Sequence, residues 1–371
     1  MHRRTFLGVT AAAALLPGAV LDAATKRLLQ MNGYPLNLET PLELLTDYLT
    51  PNELFFVRSH WIPRMPDLKT WRLTVDGEVK KPLKLSLAEL KKMPVAEATC
   101  VLQCAGNGRG LQKPTVPGVQ WRYGAIGNAR WRGVRVKDVL ERAGVSADAR
   151  HLHTFGSDDP PGKVPPFHRS LELQKALDDC ILAWEMNGVP LPAQHGAPLR
   201  LVVPGWAGDH WMKWLVRLSP QKEQQKGFYM DTAYRLPNQW GEPGVAFKPE
   251  EMSPLTAMWV KSNITTAPKR VALKGTYDIR GFAFSGAPDI AKVELSDDDG
   301  ATWNAAQLDP RHSPYAWRLW QYRWTPRAGG KATLLVRATD SAGATQERGT
   351  HWNQSGYLYN AWHSAEVEVT A

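Results

Sequence analysis

Apolar positions along the chain fall into two textures. Between Asn32 and Pro254 they come in short, irregular bursts. Trp71-Arg72-Leu73-Thr74-Val75-Asp76-Gly77 alternates apolar and polar residues and runs into a turn, the pattern of a strand with one buried face. Leu85 to Lys92 reads as a short helix with Ser86 as its N-cap, and Val136 to Ala143 as another, stopped by Gly144. Leu199 to Pro204 is largely apolar and bounded by turn residues, which fits a buried strand. These elements predict a mixed α/β or α+β domain over residues 32–254, without a nucleotide-type glycine fingerprint.

From Met258 onward the pattern becomes regular. Short alternating runs recur at Val271–Gly275, Ile279–Ala283, Ala291–Leu295 and Thr333–Ala338, with turns such as Asp298-Asp299-Gly300 and Ala328-Gly329-Gly330. Strands at even spacing predict a β-sandwich over residues 258–371. Such a domain carries little chemistry of its own and serves packing or assembly.

Composition adds to this picture at four points. A length of 371 residues suits two domains, and 43% hydrophobic with 22% charged residues is ordinary globular material. The chain has 16 tryptophans, which bring large buried area and a polar handle suited to pocket walls. A net charge of +9 draws anions, yet no basic helix or Lys/Arg block of the nucleic-acid type is present. Three cysteines, Cys100, Cys104 and Cys180, make no disulfide framework, and no Cys-x-x-Cys-His motif attaches a c-type haem.

The start of the chain reads as an address. Arg3-Arg4 precedes Thr5-Phe6-Leu7, an apolar stretch runs from Gly8 to about Val20, and Asp22-Ala23-Ala24 follows. This is the layout of a twin-arginine export signal over residues 1–24, and the stretch is too short for a membrane span. It predicts a periplasmic protein with no membrane span in its mature part, exported already folded.

Candidate chemistry centres on Leu102-Gln103-Cys104-Ala105-Gly106-Asn107-Gly108-Arg109, where a thiol ends an apolar strand and a tight turn leads to an arginine. Cys100 and Cys180 sit in apolar runs and read as small core residues. Three readings of Cys104 stay open on spacing alone. It is an inert core thiol, a nucleophile with a distant histidine, or a soft thiolate ligand for a transition metal. No second Cys or His stands at zinc-ligand spacing, so a metal here needs a cofactor to supply its other sulfurs.

Several strings resemble the sulfite oxidase family: FFVRSH, LQCAGNGR, WRYGAIGNARWRGV, AWEMNGVPLPAQHGAPLRLVVPGWAGDHWMKWL, WRLWQ and YLYNAWH. They extend from about Leu54 to the C-terminus. The resemblance implies a molybdopterin-binding domain followed by an immunoglobulin-like dimerisation domain. It implies oxidation of sulfite to sulfate at a molybdenum–molybdopterin centre, and a possible homodimer. No cytochrome b5-like domain precedes the molybdenum domain in this sequence. That resembles bacterial sulfite dehydrogenases, whose electrons pass to a separate c-type cytochrome.

The same resemblance assigns residues. Cys104 ligates the metal. Phe56, Val57, Arg58, Ser59 and His60 form a cofactor-binding segment, and Arg58 is also a substrate-pocket arginine. Arg109 is a second arginine after the ligand, and Tyr234 in TAYRLP an active-site tyrosine. His195 and Arg200 in QHGAPLR, the segment Trp211-Met212-Lys213, and Ser157 or Asp158 in FGSDDPPG are cofactor-binding positions. Bland alternatives stand beside these: Arg58 and Arg109 as surface ion-pair partners, His195 as a turn cap, Tyr234 as a packed aromatic. One departure stands out. Vertebrate and plant members carry an arginine in a WNLRG segment, where this chain has Trp352-Asn353-Gln354-Ser355-Gly356. Ser355 removes an expected positive charge, and Arg169 in FHRSLEL is a candidate replacement. Two further functions therefore remain open: a molybdenum reductase of sulfoxide or nitrate on the same fold, and a non-catalytic subunit of a sulfur-oxidising complex.

Overall fold

The structure is a computed structural model that describes residues 27–61 and 66–371. The twin-arginine segment lies outside the described residues. Among the described residues no helix is long and apolar enough to cross a membrane.

The first region is built on two five-stranded sheets. In one, Val95–Gln103 pairs antiparallel with Ile126–Arg135, which pairs with Ile181–Met186, and Arg200–Val202 adds to the last of these. In the other, Leu215–Gln221 lies between His151–Gly156 and Leu73–Val75, antiparallel to the first and parallel to the second. His168–Glu172 closes that sheet on the far side of His151–Gly156. The expected helices are present. Leu87–Leu90 starts from Ser86, whose side chain forms a capping box with Glu89, and Val136–Ala143 ends at Gly144 with φ of 69°. The expected buried strand is Arg200–Val202, with all three residues buried.

The second region is a sandwich of a four-stranded and a five-stranded sheet. Lys261–Thr266, Tyr277–Phe284, Arg318–Trp324 and Gln307–Leu308 form the first sheet. Arg270–Ala272, His363–Thr370, Gly330–Asp340, Ile290–Ser296 and Asn304–Ala305 form the second. Inward residues of both sheets, including Ile264, Ile279, Val293, Val336 and Val367, share one apolar core. The turn expected at Asp298-Asp299-Gly300 is tight, with φ of 57° at Asp299 and 88° at Gly300. The fold class read from the pattern, an α+β domain followed by a β-sandwich, is the one observed.

The two regions are joined through their interiors. Phe282, Phe284 and Trp317 of the sandwich pack into the larger core of the first region, and the Val101 amide donates to the Tyr315 carbonyl at 2.9 Å. The strand carrying Cys100 through Gln103 is therefore held on both sides before it delivers Cys104.

Candidate active site

Strand Val95–Gln103 is exposed at its start and buried over its last four residues, so Cys104 emerges at the buried end. There the chain turns sharply. The Cys104 amide donates to the Ala125 carbonyl at 2.9 Å, and the Asn107 amide donates back to the Cys104 carbonyl at 2.9 Å. Cys104 is 9% exposed and lines a cleft. Burial raises its pKa, while Arg58, Arg109 and the Gly106 amide act the other way.

The cleft gathers residues from widely separated segments. Of the sequence-derived candidates, Phe56, Arg58, Ser59, His60, Cys104, Asp158, His195, Arg200, Trp211, Met212, Lys213 and Tyr234 line it. Val57, Ser157 and Arg109 are not among its lining residues. Val57 packs in a small apolar cluster with Leu28 and Leu38, and its backbone bridges to Leu38. The Ser157 amide donates to the Trp214 carbonyl at 2.9 Å. The Arg109 Nε donates to the Ser355 carbonyl at 2.7 Å and its Nη1 to the Val119 carbonyl at 3.1 Å. Its guanidinium also lies 5.4 Å from the centre of the Tyr357 ring. A Cβ on Gly106 would stand 2.7 Å from Arg109 Nη2, so the glycine leaves room for this packing.

One wall of the cleft is cationic. The Lys213 Nζ donates to Ser59 Oγ at 3.0 Å and to the Gln194 carbonyl at 3.1 Å, and sits 4.0 Å from the Trp214 ring centre. Burial holds its pKa well below the usual lysine range, with Arg200 and Arg58 adding repulsion. Arg200 is buried against the rings of Trp131 and Trp211, and burial lowers its pKa to about 9. Its Nη1 donates to the His195 carbonyl at 2.9 Å, while its Nε is buried without a hydrogen-bond partner. Burial takes His195 down to about 3, so the imidazole is neutral at pH 7. Such a concentration of buried, incompletely matched cations fits an anionic guest.

Another part of the lining is aromatic. The Tyr234 hydroxyl and His60 Nε2 are 2.8 Å apart, and the His60 ring stacks on Phe167 with centres at 4.3 Å. Burial, with Arg58 and Lys213 adding repulsion, holds His60 well below its ordinary range, and burial holds Tyr234 well above its own. Both are neutral at pH 7.

Periodicity and spacing did not single out Asp209, which also lines the cleft. It lies in the turn Gly208–His210, inside the WAGDHW stretch of a longer recognised string. Arg169, the candidate replacement cation, is 0% exposed and does not reach the cleft as a free charge. Its Nη2 is 2.6 Å from Asp209 Oδ2. Burial pushes the Asp209 carboxyl up to about 7 against the pull of Arg169.

A molybdenum–molybdopterin group fits these residues. One cysteine lines the cleft, and among the described residues no three His, Cys, Asp or Glu side chains cluster to hold a metal unaided. A metal held here would have one protein sulfur available and would draw its remaining soft ligands from a cofactor. The unpartnered Arg200 Nε and the buried Lys213 provide donors for the anionic part of such a cofactor.

Comparison with known proteins agrees with this. Residues 59–229 match the oxidoreductase molybdopterin binding domain, and residues 253–370 match the Mo-co oxidoreductase dimerisation domain. Human mitochondrial sulfite oxidase is 38% identical over 360 residues, covering 91% of this chain and 65% of that protein. The chain thus spans 65% of the human relative's length. The Arabidopsis thaliana sulfite oxidase is 32% identical, covering 89% of this chain and 91% of that protein. Among solved structures, the sulfane dehydrogenase SoxCD from Paracoccus pantotrophus is similar with a TM-score of 0.81 at 27% identity, covering 98% of this chain and 93% of that one.

Proposed function

Because the chain belongs to the sulfite oxidase family, we propose that it oxidises sulfite to sulfate and passes the two electrons to a separate c-type cytochrome. The observation that carries this reading is the convergence of Cys104, Arg58, His60 and Tyr234 on one cleft with a cationic wall. Cys104 would ligate the metal, and His195, Arg200, Lys213 and Ser59 would hold the pterin. When bound, a molybdenum centre would supply the oxygen-atom transfer and two-electron capacity that this reaction needs. The balance is sulfite plus water giving sulfate, two protons and two electrons.

The protein's own residues bind, orient and move protons. Arg58 is half-buried, with its Nη1 donating to Asn37 Oδ1 at 3.3 Å and to the Ser59 carbonyl. This anchors the guanidinium beside Cys104, where its fork suits a small oxyanion. Neutral Tyr234 donates a hydrogen bond to an oxygen in the cleft. Neutral His60, whose Nε2 is 2.8 Å from the Tyr234 hydroxyl, donates to that oxygen in the tautomer that leaves the phenol proton free for the cleft. Arg109 acts from the side: bound to the Ser355 and Val119 carbonyls, it lends its field to the Cys104 thiolate.

The test is sulfite-dependent reduction of ferricyanide and of cytochrome c by protein of measured molybdenum content, with nitrate and methionine sulfoxide assayed beside sulfite. Turnover of sulfite alone is the expected result; efficient reduction of the sulfoxide or nitrate with no sulfite turnover overturns it. Two further parts of the proposal have their own supports. Arg3-Arg4 before an apolar stretch supports twin-arginine export to the periplasm, checked by the location of an Arg3→Lys, Arg4→Lys precursor. The match of residues 253–370 to a dimerisation domain supports a homodimer, checked by light scattering at micromolar concentration.

A further inference from the structure

Tyr234 occupies a backbone conformation that a bulky residue does not choose freely. Its φ is 57°, in the left-handed region, and such a residue persists only where its surroundings over-determine it. Those surroundings form a column of two rings and two guanidinium groups. The Tyr234 and Tyr357 rings stack with centres 5.2 Å apart and planes at 13°. Arg109 lies 5.4 Å from the centre of Tyr357, and Arg169 lies 5.3 Å from the centre of Tyr234.

The two arginines are anchored differently. Arg109 is fixed by backbone carbonyls. Arg169 is fixed by a charge: its Nη2 meets Asp209 Oδ2 at 2.6 Å with both side chains at most 1% exposed, and its Nη1 donates to the Tyr229 carbonyl. Asp209 in turn belongs to a turn pressed against the strand end that presents Cys104. An added Cβ on Gly208 would stand 2.8 Å from the Gln103 carbonyl. One buried ion pair therefore links the neighbour of the thiol to the tyrosine that shares its cleft.

We propose that Arg169, clamped by Asp209, is a positioning residue for Tyr234, holding the ring so that its hydroxyl meets His60 and faces the cleft. Arg169 itself touches neither substrate nor cofactor. It acts through the face of the ring, where a guanidinium is attracted to the π system, and through the ion pair that prevents it from leaving. The kinetic part of the test rests on the sulfite-oxidising function proposed above.

Arg169→Met combined with Asp209→Asn removes both charges together, so that neither is left buried and unpaired. In the purified holoenzyme, normalised to molybdenum content, this double variant and Tyr234→Phe should each lower kcat/KM for sulfite about tenfold or more. Combining them should cost no more than Tyr234→Phe alone, because both act through one hydroxyl. The His60 imidazole resonance, identified by its loss in His60→Gln, should move in the double variant in the same direction as in Tyr234→Phe. A double variant that melts earlier but keeps the wild-type kcat/KM and the wild-type His60 resonance overturns the proposal. So do losses that multiply fully with Tyr234→Phe. Should the wild-type holoenzyme turn over no sulfite, the function proposed above fails, and the His60 resonance alone decides the positioning role.

Discussion

The cleft and the interior of the sandwich are both buried, and they are built on opposite rules. Inside the sandwich the apolar core is aliphatic or tryptophan, contributed from both sheets, and buried polar groups such as Ser262, Ser285 and Gln346 find hydrogen-bond partners within the sandwich itself. Around the cleft the buried positions include Arg169, His195, Arg200, Asp209 and His210. Several buried polar atoms there have no partner, among them Arg200 Nε, Asp209 Oδ1 and His210 Nδ1. A fold tolerates unmatched polar groups at a cost, and it keeps them where a guest or a reaction uses them. The sandwich is organised for stability and the cleft for chemistry, so a substitution in one should be silent in the assay that reads the other.

The largest expected effect tests the chemical side. Cys104→Ser changes a soft thiolate to a hard, neutral hydroxyl with little change of volume. Loss of a direct ligand should exceed the roughly 10–100-fold typical of removing a ligand's outer partner. Sulfite oxidation should fall by at least about 100-fold while the thermal midpoint of the apoprotein is unchanged. Full activity in the serine variant would dissolve the comparison at its centre.

Ile279→Ala is the converse. Ile279 is 0% exposed in strand Tyr277–Phe284, and truncation leaves a cavity between the sheets. Destabilisation of about 2–5 kcal/mol is expected, read by denaturant unfolding, with KM for sulfite unaltered in the folded protein. A changed KM would mean that the sandwich core shapes the cleft.

Arg58→Gln sharpens the chemical side further. Losing a charged hydrogen bond to the anion should cost about 2–4 kcal/mol in kcat/KM. Added salt should weaken sulfite capture by the wild type more than by the variant, because screening acts on the charge that was removed. Steady-state kinetics across ionic strength measure both.

The same division explains what could be read from the sequence. The sandwich strands follow a period of two, and Ile279, Val293 and Val336 announced their inward faces by it. The helix at Val136–Ala143 was legible through its stop at Gly144. The cleft has no period. Its residues sit in turns and at strand ends, and only recognised strings brought Arg58, Cys104, His195 and Lys213 together. Those strings could not separate Val57, which faces away, from its neighbours. Nor could they show that Arg109 turns aside to the Ser355 carbonyl. Asp209 stayed invisible because its role depends on Arg169, 40 positions away in sequence.

Lys261 is the place where the comparison is under most strain, since it is a charged residue in a sandwich strand. It is 1% exposed, its Nζ has no hydrogen-bond partner, and its nearest company is the rings of Tyr123 and Tyr359 at 5.7 and 5.4 Å. Burial lowers its pKa to about 7, with Glu39 acting weakly the other way. An ordinary lysine in the unfolded chain titrates near 10.4. Below pH 7 both states carry the proton, and the folded state bears the full cost of a buried charge. As pH rises above 7 the folded state releases its proton while the unfolded state keeps it, so stability increases. Between pH 7 and 9 this group should add about 2 kcal/mol. His363, brought down to about 3 by burial and by Lys261, gains its own increment at lower pH and is nearly finished by pH 7. Lys261→Met should therefore flatten the rise in unfolding free energy between pH 7 and 9 and be more stable than the wild type at pH 6. A wild type and variant with parallel pH profiles would show that this amine is solvated or paired in solution, and that the seam beside the sandwich is wetter than its core.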